Sequence, residues 1–303
     1  MIAITGQTAT GKTKLAFDYV LKKNGEIINF DSRQVYKNLD IVTGKDLPKK
    51  SQFYLFKKVN SFEIGYHLIS YQNQLIKLWL YDICYPNQYF SSFNFSQLAK
   101  IVITETKKNQ KLPILVGGSY FYLKHFLYDF DYQAPPNFKF RQILNQKNIL
   151  ELQKILIGLK KDIKKDFNQS DWQNPRRLIR RIEILTYQKK EKLKNKEKNN
   201  LPDFKIIGLV FKDKEKLKEK IKDRVYQRLK NGAIDEVKKL ISLGYKKTDP
   251  GLITIGYKQI IGFLEGKISK EKMIENWINA ETQYAQRQYV FMKKDKNINW
   301  REI

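Results

Sequence analysis

Apolar positions along this chain come first as short unbroken runs, separated by segments in which they recur at helical spacing. Met1 to Thr5 is such a run, and a glycine-rich turn closes it. From Thr13 to Leu21, Leu15, Ala16, Tyr19 and Val20 share one face of a predicted helix. Glu26 to Phe30 predicts a second strand, ending at Asp31-Ser32, and Leu75 to Ile83 a further strand that runs into the Pro86-Asn87 turn. Asn94 to Lys107 has the pattern of an amphipathic helix, and Leu112 to Val116 is a strand closed by Gly117-Gly118. Runs that are apolar throughout, rather than alternating, belong to strands covered on both faces. Their alternation with helices predicts an α/β fold on a parallel sheet.

From about residue 129 the pattern changes. Up to about residue 202 no strand is predicted, and the stretches are helical and basic, ending in the Lys-rich run 188–200. Lys205 to Phe211 then reads as one more core strand, followed by helices over 214–231, 234–243 and 269–293. The order predicts a core of residues 1–128 plus 204–303, interrupted by a helical insertion domain, 129–203. The run 189–198 reads as a solvated segment that attracts a nucleic-acid backbone without reading its sequence. Tyr120, Phe121, Tyr122 and Phe126 read as core, not as a ligand pocket.

Charge sharpens this picture. Lys and Arg number 58 against 31 Asp and Glu, a net charge of +27. That excess predicts a polyanionic partner, although the abundance of Lys, Asn, Ile, Phe and Tyr with little Ala is also what an AT-rich genome encodes. Cys84 is the one cysteine, which excludes an intramolecular disulfide and a multi-cysteine zinc site; it reads as a small apolar filler. No apolar run nears the roughly 18 residues of a membrane span, and Met1 to Gly6 has no leader pattern. A cytoplasmic protein that touches no membrane is the expectation.

Two features carry chemistry. Gly6, Gln7, Thr8, Ala9, Thr10, Gly11, Lys12 and Thr13 match G-x-x-x-x-G-K-[ST] in full, between a predicted strand and a predicted helix. The glycines let the backbone curl so that successive N–H groups converge on phosphate oxygens at a helix N-terminus. Lys12 adds a charge, and the Thr13 hydroxyl can ligate Mg²⁺. The loop thus predicts a P-loop NTPase-like core that binds phosphate or diphosphate, without choosing the reaction. Asp31 ends the second strand, on the side of a parallel sheet where ligands bind. It can accept a proton from a nucleophile, hold water on Mg²⁺, or only cap the helix that follows.

Beyond the loop, seven further motifs in order resemble bacterial tRNA dimethylallyltransferases, the isopentenyl-tRNA transferase family. That family opens with a loop near G-P-T-A-S-G-K-T, against Gly6 to Thr13 here, with Gln7 for Pro and Thr10 for Ser. Its D-S-R-Q-V-Y and D-I-G-T-[AG]-K correspond to Asp31–Tyr36 and Asp40–Lys45, and its L-V-G-G-T-x-x-Y to Leu115–Tyr122, with Ser119 for Thr. Asn174–Glu183, Arg224 with Gly232–Val237, Ile255–Gln259 and Tyr284–Gln288 resemble its later motifs. Residues 49–80 resemble it poorly.

The resemblance implies transfer of a dimethylallyl group from dimethylallyl diphosphate to N6 of the adenine at tRNA position 37, beside the anticodon. Lys12, Arg224 and Mg²⁺ would stabilise the departing diphosphate. Asp31 would take the N6 proton, with Ser119 on the adenine or steadying Asp31. Basic positions matching family tRNA contacts are Arg141, Arg176, Arg177 and Arg180, of which Arg176 and Arg180 share a helix face. Asp31, Ser32, Arg33 and Gln34, with Thr254, Gly256, Tyr257, Lys258 and Gln259, would complete the RNA surface around the anticodon stem-loop. The target base would flip into the site, and the family precedent is a monomer. A prenyltransferase of free adenine nucleotides, a small-molecule kinase and a noncatalytic RNA-binding module remain alternatives at this point. The first would not need the arginine helix, and the second would need a lid aimed at a γ-phosphate. An intact Lys12-Thr13 with Asp31 argues against the third.

Overall fold

The computed structural model describes residues 1–45, 47–48, 51–128, 134–191 and 203–303. The start of the insertion at 129 and the Lys-rich run from 192 onward lie outside them. The chain divides into two compact units, Met1–Leu127 with Leu201–Ile303, and Tyr128–Asn200.

In chain order the elements are β1 (Ile2–Gly6), α1 (Lys12–Lys23), β2 (Gly25–Asn29), β3 (Phe53–Val59), β4 (Phe62–Tyr71), β5 (Gln74–Trp79), α2 (Ser92–Lys108), β6 (Leu112–Val116) and α3 (Tyr120–Leu127). The smaller unit holds α4 (Phe138–Leu144), α5 (Ile149–Leu159), a 3₁₀ turn at Ile163–Asp166, α6 (Gln169–Trp172) and α7 (Pro175–Lys190). The larger unit resumes with β7 (Lys205–Val210), α8 (Lys214–Lys230), α9 (Ala233–Ser242), α10 (Tyr257–Leu264), α11 (Lys270–Met292) and β8 (Ile298–Glu302).

The sheet runs β3-β4-β5-β2-β6-β1-β7-β8. From β5 to β8 every neighbour is parallel. The cause is visible in the sequence: β2 is buried throughout, and β1, β6 and β7 are buried except at their first residue. Only strands covered on both faces tolerate that pattern. β1, flanked by β6 and β7, delivers the glycine-rich turn from the middle of the sheet.

The expectation of a purely parallel sheet is corrected at one edge. Residues 53–79, most of the stretch that resembles the family poorly, form an antiparallel meander, β3-β4-β5. Gln72 and Asn73 both take positive φ, as a two-residue hairpin turn requires. The predicted strand over 75–83 ends at Trp79, because Leu80 and Asp82 take positive φ and leave the ladder. Other elements were not foreseen: α3 follows β6, β8 adds an eighth strand beside β7, and residues 257–264 form α10, with Gly256 at φ 90° as its N-cap.

The core reading of the 120–126 aromatics is corrected at Phe121, whose side chain is exposed. Tyr120 is buried and donates to Asp295 at 2.5 Å, while Tyr122 donates to the Phe90 carbonyl at 3.0 Å. Cys84 is fully buried; burial raises its thiol pKa, leaving it a filler without nucleophilic character. The smaller unit has its own apolar core of Leu144, Leu152, Leu156, Ile163, Trp172, Leu178, Ile179 and Ile182. Its α7 starts with Asn174 capping the Arg176 N–H and Pro175 in the first turn, where no donor is lost. Among the described residues, no helix is long and apolar enough to cross a membrane.

Candidate active site

The loop between β1 and α1 depends on its two glycines. Gly6 sits at φ 137°, and a Cβ there would lie 2.2 Å from the Leu209 carbonyl oxygen. Gly11, at φ 75°, turns the chain into α1. The Thr10 hydroxyl and the Lys12 ammonium both donate to the Gln7 carbonyl, at 2.8 and 2.6 Å. The Gln7 side chain is buried: its Oε1 accepts from Phe211 N at 3.0 Å, and its Nε2 donates to the Ala285 carbonyl at 3.5 Å. Gln7 therefore holds the loop to the end of β7 and to α11, a role that proline could not fill; it offers its side chain to no ligand.

The loop opens onto a cavity of about 580 Å³, lined by Thr8 through Lys14 on one side and by Asp31, Gly118, Arg224 and Tyr284 on others. Arg224, on α8, donates to the Thr8 hydroxyl at 2.7 Å, which sets a guanidinium at the mouth of the phosphate loop. Asp31 follows β2, its backbone N–H donating to Asn29 Oδ1 at 2.9 Å. Asp31 Oδ1 accepts from the Arg33 N–H at 2.9 Å, and Oδ2 faces Gly118, where a Cβ would stand 3.4 Å away. Ser119 accepts from the Ser32 N–H and donates to the Ser32 hydroxyl, both at 2.9 Å. It steadies the Asp31 turn through Ser32.

The other predicted residues of this turn are partly committed to the fold. Arg33 donates to the Pro250 carbonyl at 3.1 Å, and Gln34 to the Gly44 carbonyl at 2.8 Å. Both line the cavity, as Ser32 and Thr254 do. In the 256–259 group, the prediction of RNA contacts needs correction. Tyr257 is fully buried and donates to Glu236 at 2.5 Å, and Gln259 accepts from the Gly256 N–H at 2.8 Å to cap α10. A Cβ on Gly256 would meet Val42 at 2.4 Å, so this glycine serves packing. Lys258 alone of the four is exposed.

Glu236 also explains the 40–45 stretch. Its carboxylate accepts from the N–H groups of Asp40, Ile41 and Val42 at 2.9, 2.6 and 3.1 Å, holding that loop against α9. The loop places Gly44 beneath two guanidinium groups, since a Cβ there would lie 2.8 Å from Arg228 and 3.0 Å from Arg224. Lys45 is buried and donates to the Tyr36 carbonyl and Asp40, both at 2.6 Å, and to Asp82. Burial raises the Asp82 carboxyl pKa, but the hydrogen bond from His67 and the charge of Lys45 outweigh it and hold it below the usual range.

Sequence reasoning missed several residues of the site. Gln288 accepts from the Thr8 N–H at 2.9 Å and donates to the Gly118 carbonyl at 2.8 Å, tying the phosphate loop to the end of β6. Tyr284 lines the cavity; burial first, then the charge of Asp31, push its phenol up to about 12, against Arg33 and hydrogen bonds with Ser119 and Gln288. It is a neutral hydrogen-bonding group at neutral pH. Arg228 pairs with Glu281 inside the cavity wall, and Glu281 also accepts from Trp277 Nε1 at 3.0 Å. The Tyr284–Gln288 motif was the available signal for the first two. For the Arg228–Glu281 pair no sequence signal exists, because the two residues meet only through the packing of α8 on α11.

The smaller unit places the remaining predicted arginines. Arg141 donates to buried Glu183 through Nε at 3.1 Å and through a terminal nitrogen at 2.8 Å. Arg180 also pairs with Glu183 and donates to the Ala134 carbonyl at 2.8 Å. Both predicted RNA contacts are half-buried and clamp α4 to α7 through Glu183. Arg176 and Arg177 are exposed, and Arg177 pairs with Asp171 at 2.8 Å.

The sheet, parallel from β5 to β8, thus carries the G-x-x-x-x-G-K-T loop at its centre, a carboxylate at the next-but-one strand end and an arginine bonded to the loop, in a P-loop-like fold. The family can be stated as well. A profile described as IPP transferase matches residues 34–295, and the chain belongs to that family. A tRNA dimethylallyltransferase of Caldanaerobacter subterraneus is 31% identical over 99% of this chain and 90% of its own. A crystal structure of the tRNA isopentenylpyrophosphate transferase of Bacillus halodurans aligns with a TM-score of 0.66 at 28% identity, covering 99% of this chain and 89% of that one. A eukaryotic dimethylallyltransferase, crystallised acting on tRNA, shares the fold with a TM-score of 0.75 at 24% identity, over 100% of this chain and 73% of its own.

Proposed function

We propose that this chain transfers the dimethylallyl group of dimethylallyl diphosphate to N6 of the adenine at position 37 of tRNA, releasing diphosphate. The observation that carries the reading is the shared cavity: the phosphate loop, Arg224 and Asp31 face one space of about 580 Å³. The diphosphate lies on the N–H groups of the loop, with Lys12 and Arg224 at its oxygens. As the allylic C–O bond breaks, the bonding pair and the growing negative charge pass to the diphosphate, where fixed donors in a sheltered site stabilise them best. N6 bonds to the freed carbon and becomes acidic, and Asp31 accepts its proton. Tyr284 and Ser119 hold the Asp31 side of the cavity, and the adenine enters unstacked from the anticodon loop.

The donor set fits Mg²⁺ shared with the substrate. Among the described residues no cluster of three or more His, Cys, Asp or Glu could cage an ion, whereas Thr13 presents a hydroxyl and Asp31 a carboxylate to the same cavity. Bound there, Mg²⁺ would neutralise charge on the diphosphate oxygens. Arg176, Arg177, Arg33 and Lys258 supply cations for the anticodon stem-loop, and the protein acts as a cytoplasmic monomer. The test is diphosphate release measured with each substrate alone and with both. Release only in the presence of both supports transfer; release from dimethylallyl diphosphate alone would reduce the activity to hydrolysis.

A further inference from the structure

The β3-β4-β5 meander has one covered and one open face. On the covered face, Ile69, Ile76 and Leu78 pack with Phe17 of α1. On the other, the ladder sets Tyr54, Tyr66 and Trp79 side by side across three strands. Tyr54 and Tyr66 stack with centroids 5.4 Å apart and planes 17° apart, and Tyr66 meets Trp79 at 4.7 Å. Phe56 stands edge-on to Trp79 at 5.6 Å. The Lys77 ammonium lies 4.8 Å from the Tyr66 ring centre, and Lys57 points the same way from the edge strand, opposite Ile64. The helix on this side, α2, packs on β2 and β6. Tyr54, Phe56 and Leu75 stay open to solvent, 37%, 41% and 72% exposed.

We propose that this open face is an accessory RNA-binding surface that stacks unpaired bases of the tRNA substrate outside the catalytic cavity. The proposal rests on the tRNA reading above. Flat aromatic rings interleaved with lysines suit single-stranded nucleic acid, whose bases stack while its phosphates seek cations. Lys57 and Lys77 supply the positive charge of this face, with Lys77 also 3.6 Å from the buried Glu26 carboxylate of β2, while Lys58 pairs with Glu63, its partner in the ladder. Two features disfavour a second copy of the chain as the occupant. Lysines stud the edge strand, and a bulge between Leu55 and Lys57 breaks its ladder; both discourage strand-to-strand pairing.

The test uses the full chain with Tyr54→Ala and Phe56→Ala together, against two substrates, a whole tRNA and the isolated anticodon stem-loop. Unchanged turnover of the stem-loop shows that the site is intact. The proposal expects KM for whole tRNA to rise about tenfold, the effect of losing one stacked base, with kcat unchanged. It also expects affinity for a fluorescein-labelled oligouridylate to fall in parallel. Lys57→Glu, which disturbs no packing, should raise KM for whole tRNA in the same direction and keeps the test open if the double variant folds poorly. Equal KM for whole tRNA in wild type and both variants would overturn the proposal. A wild-type dimer in solution that dissociates in the variants would also overturn it, giving the face to a second copy. A wild type that prenylates neither substrate would instead sink the tRNA reading itself.

Discussion

Arg224→Ala removes the α8 guanidinium that is hydrogen-bonded to the phosphate loop. Its terminal nitrogen is 2.7 Å from the Thr8 hydroxyl, at the rim of the loop on which the proposed reaction puts the leaving diphosphate. At about 4 Å and an effective dielectric of about 20, a single unit-charge contact is worth about 4 kcal/mol. Part of that holds equally for bound substrate and so leaves kcat untouched. Removing one fixed donor from such a site costs about 100-fold to 1000-fold in kcat. The expected result is a fall of that order in single-turnover prenyl transfer at saturating substrates, with KM for tRNA unchanged. Arg224→Lys restores a point charge but not the fork, so it should recover part of the rate. Thr8 keeps its backbone bond to Gln288, so thermal stability should move little. A loss of less than threefold in Arg224→Ala, with the fold intact, would refute the placement of Arg224 on the leaving group.

Other expectations follow from the same contacts. Gln288→Ala orphans the Thr8 N–H and the Gly118 carbonyl, at about 1 to 3 kcal/mol for a buried group; the melting temperature should drop and diphosphate affinity weaken together. Glu183→Ala leaves Arg141 and Arg180 without their buried partner, at about 3 to 5 kcal/mol, read as protease sensitivity within α4 to α7. Burial raises the Glu183 carboxyl pKa, but Arg141, the Asn137 N–H and Arg180 outweigh it and hold the value below the usual range. The stability Glu183 confers is therefore complete above its unfolded pKa of about 4.3 and is lost as pH falls through the depressed value; acid unfolding of wild type that matches Glu183→Gln at every pH would contradict this. Tyr284→Phe removes a neutral hydrogen-bonding phenol beside Asp31, and kcat should fall about tenfold with no new titration between pH 6 and 9, as a phenol at about 12 requires.

Much of this was legible because it is local. The phosphate loop, its strand and its helix occupy adjacent residues, and their chemistry follows from Gly6, Gly11, Lys12 and Thr13 in order. Asp31 could be placed because a buried run ends just before it. What stayed hidden joins residues far apart in the chain. Thr8 meets Gln288 across 280 positions and Arg224 across 216, and periodicity carries no record of either contact. The arginines of α7 could be assigned to a helix, but not their sharing of Glu183, which depends on α4 packing beside it. β3, β4 and the antiparallel pairing of β5 were missed for another reason. Tyr54, Phe56 and Leu75 are apolar yet exposed, so apolar residues stand on both faces and no alternation of apolar with polar marks the strands.

In the proposed reaction, Asp31 and the phosphate loop serve prenyl transfer to a tRNA adenine. Its most direct test is incubation of the purified protein with Mg²⁺, dimethylallyl diphosphate and an anticodon stem-loop carrying A-A-A, followed by mass analysis of the nucleosides, with Asp31→Ala in parallel. The expected product is an adenosine heavier by one prenyl unit, reduced by several orders of magnitude in Asp31→Ala while stem-loop binding persists. Unmodified adenosine with wild-type protein, alongside turnover of free AMP or ATP in the same preparation, would contradict it.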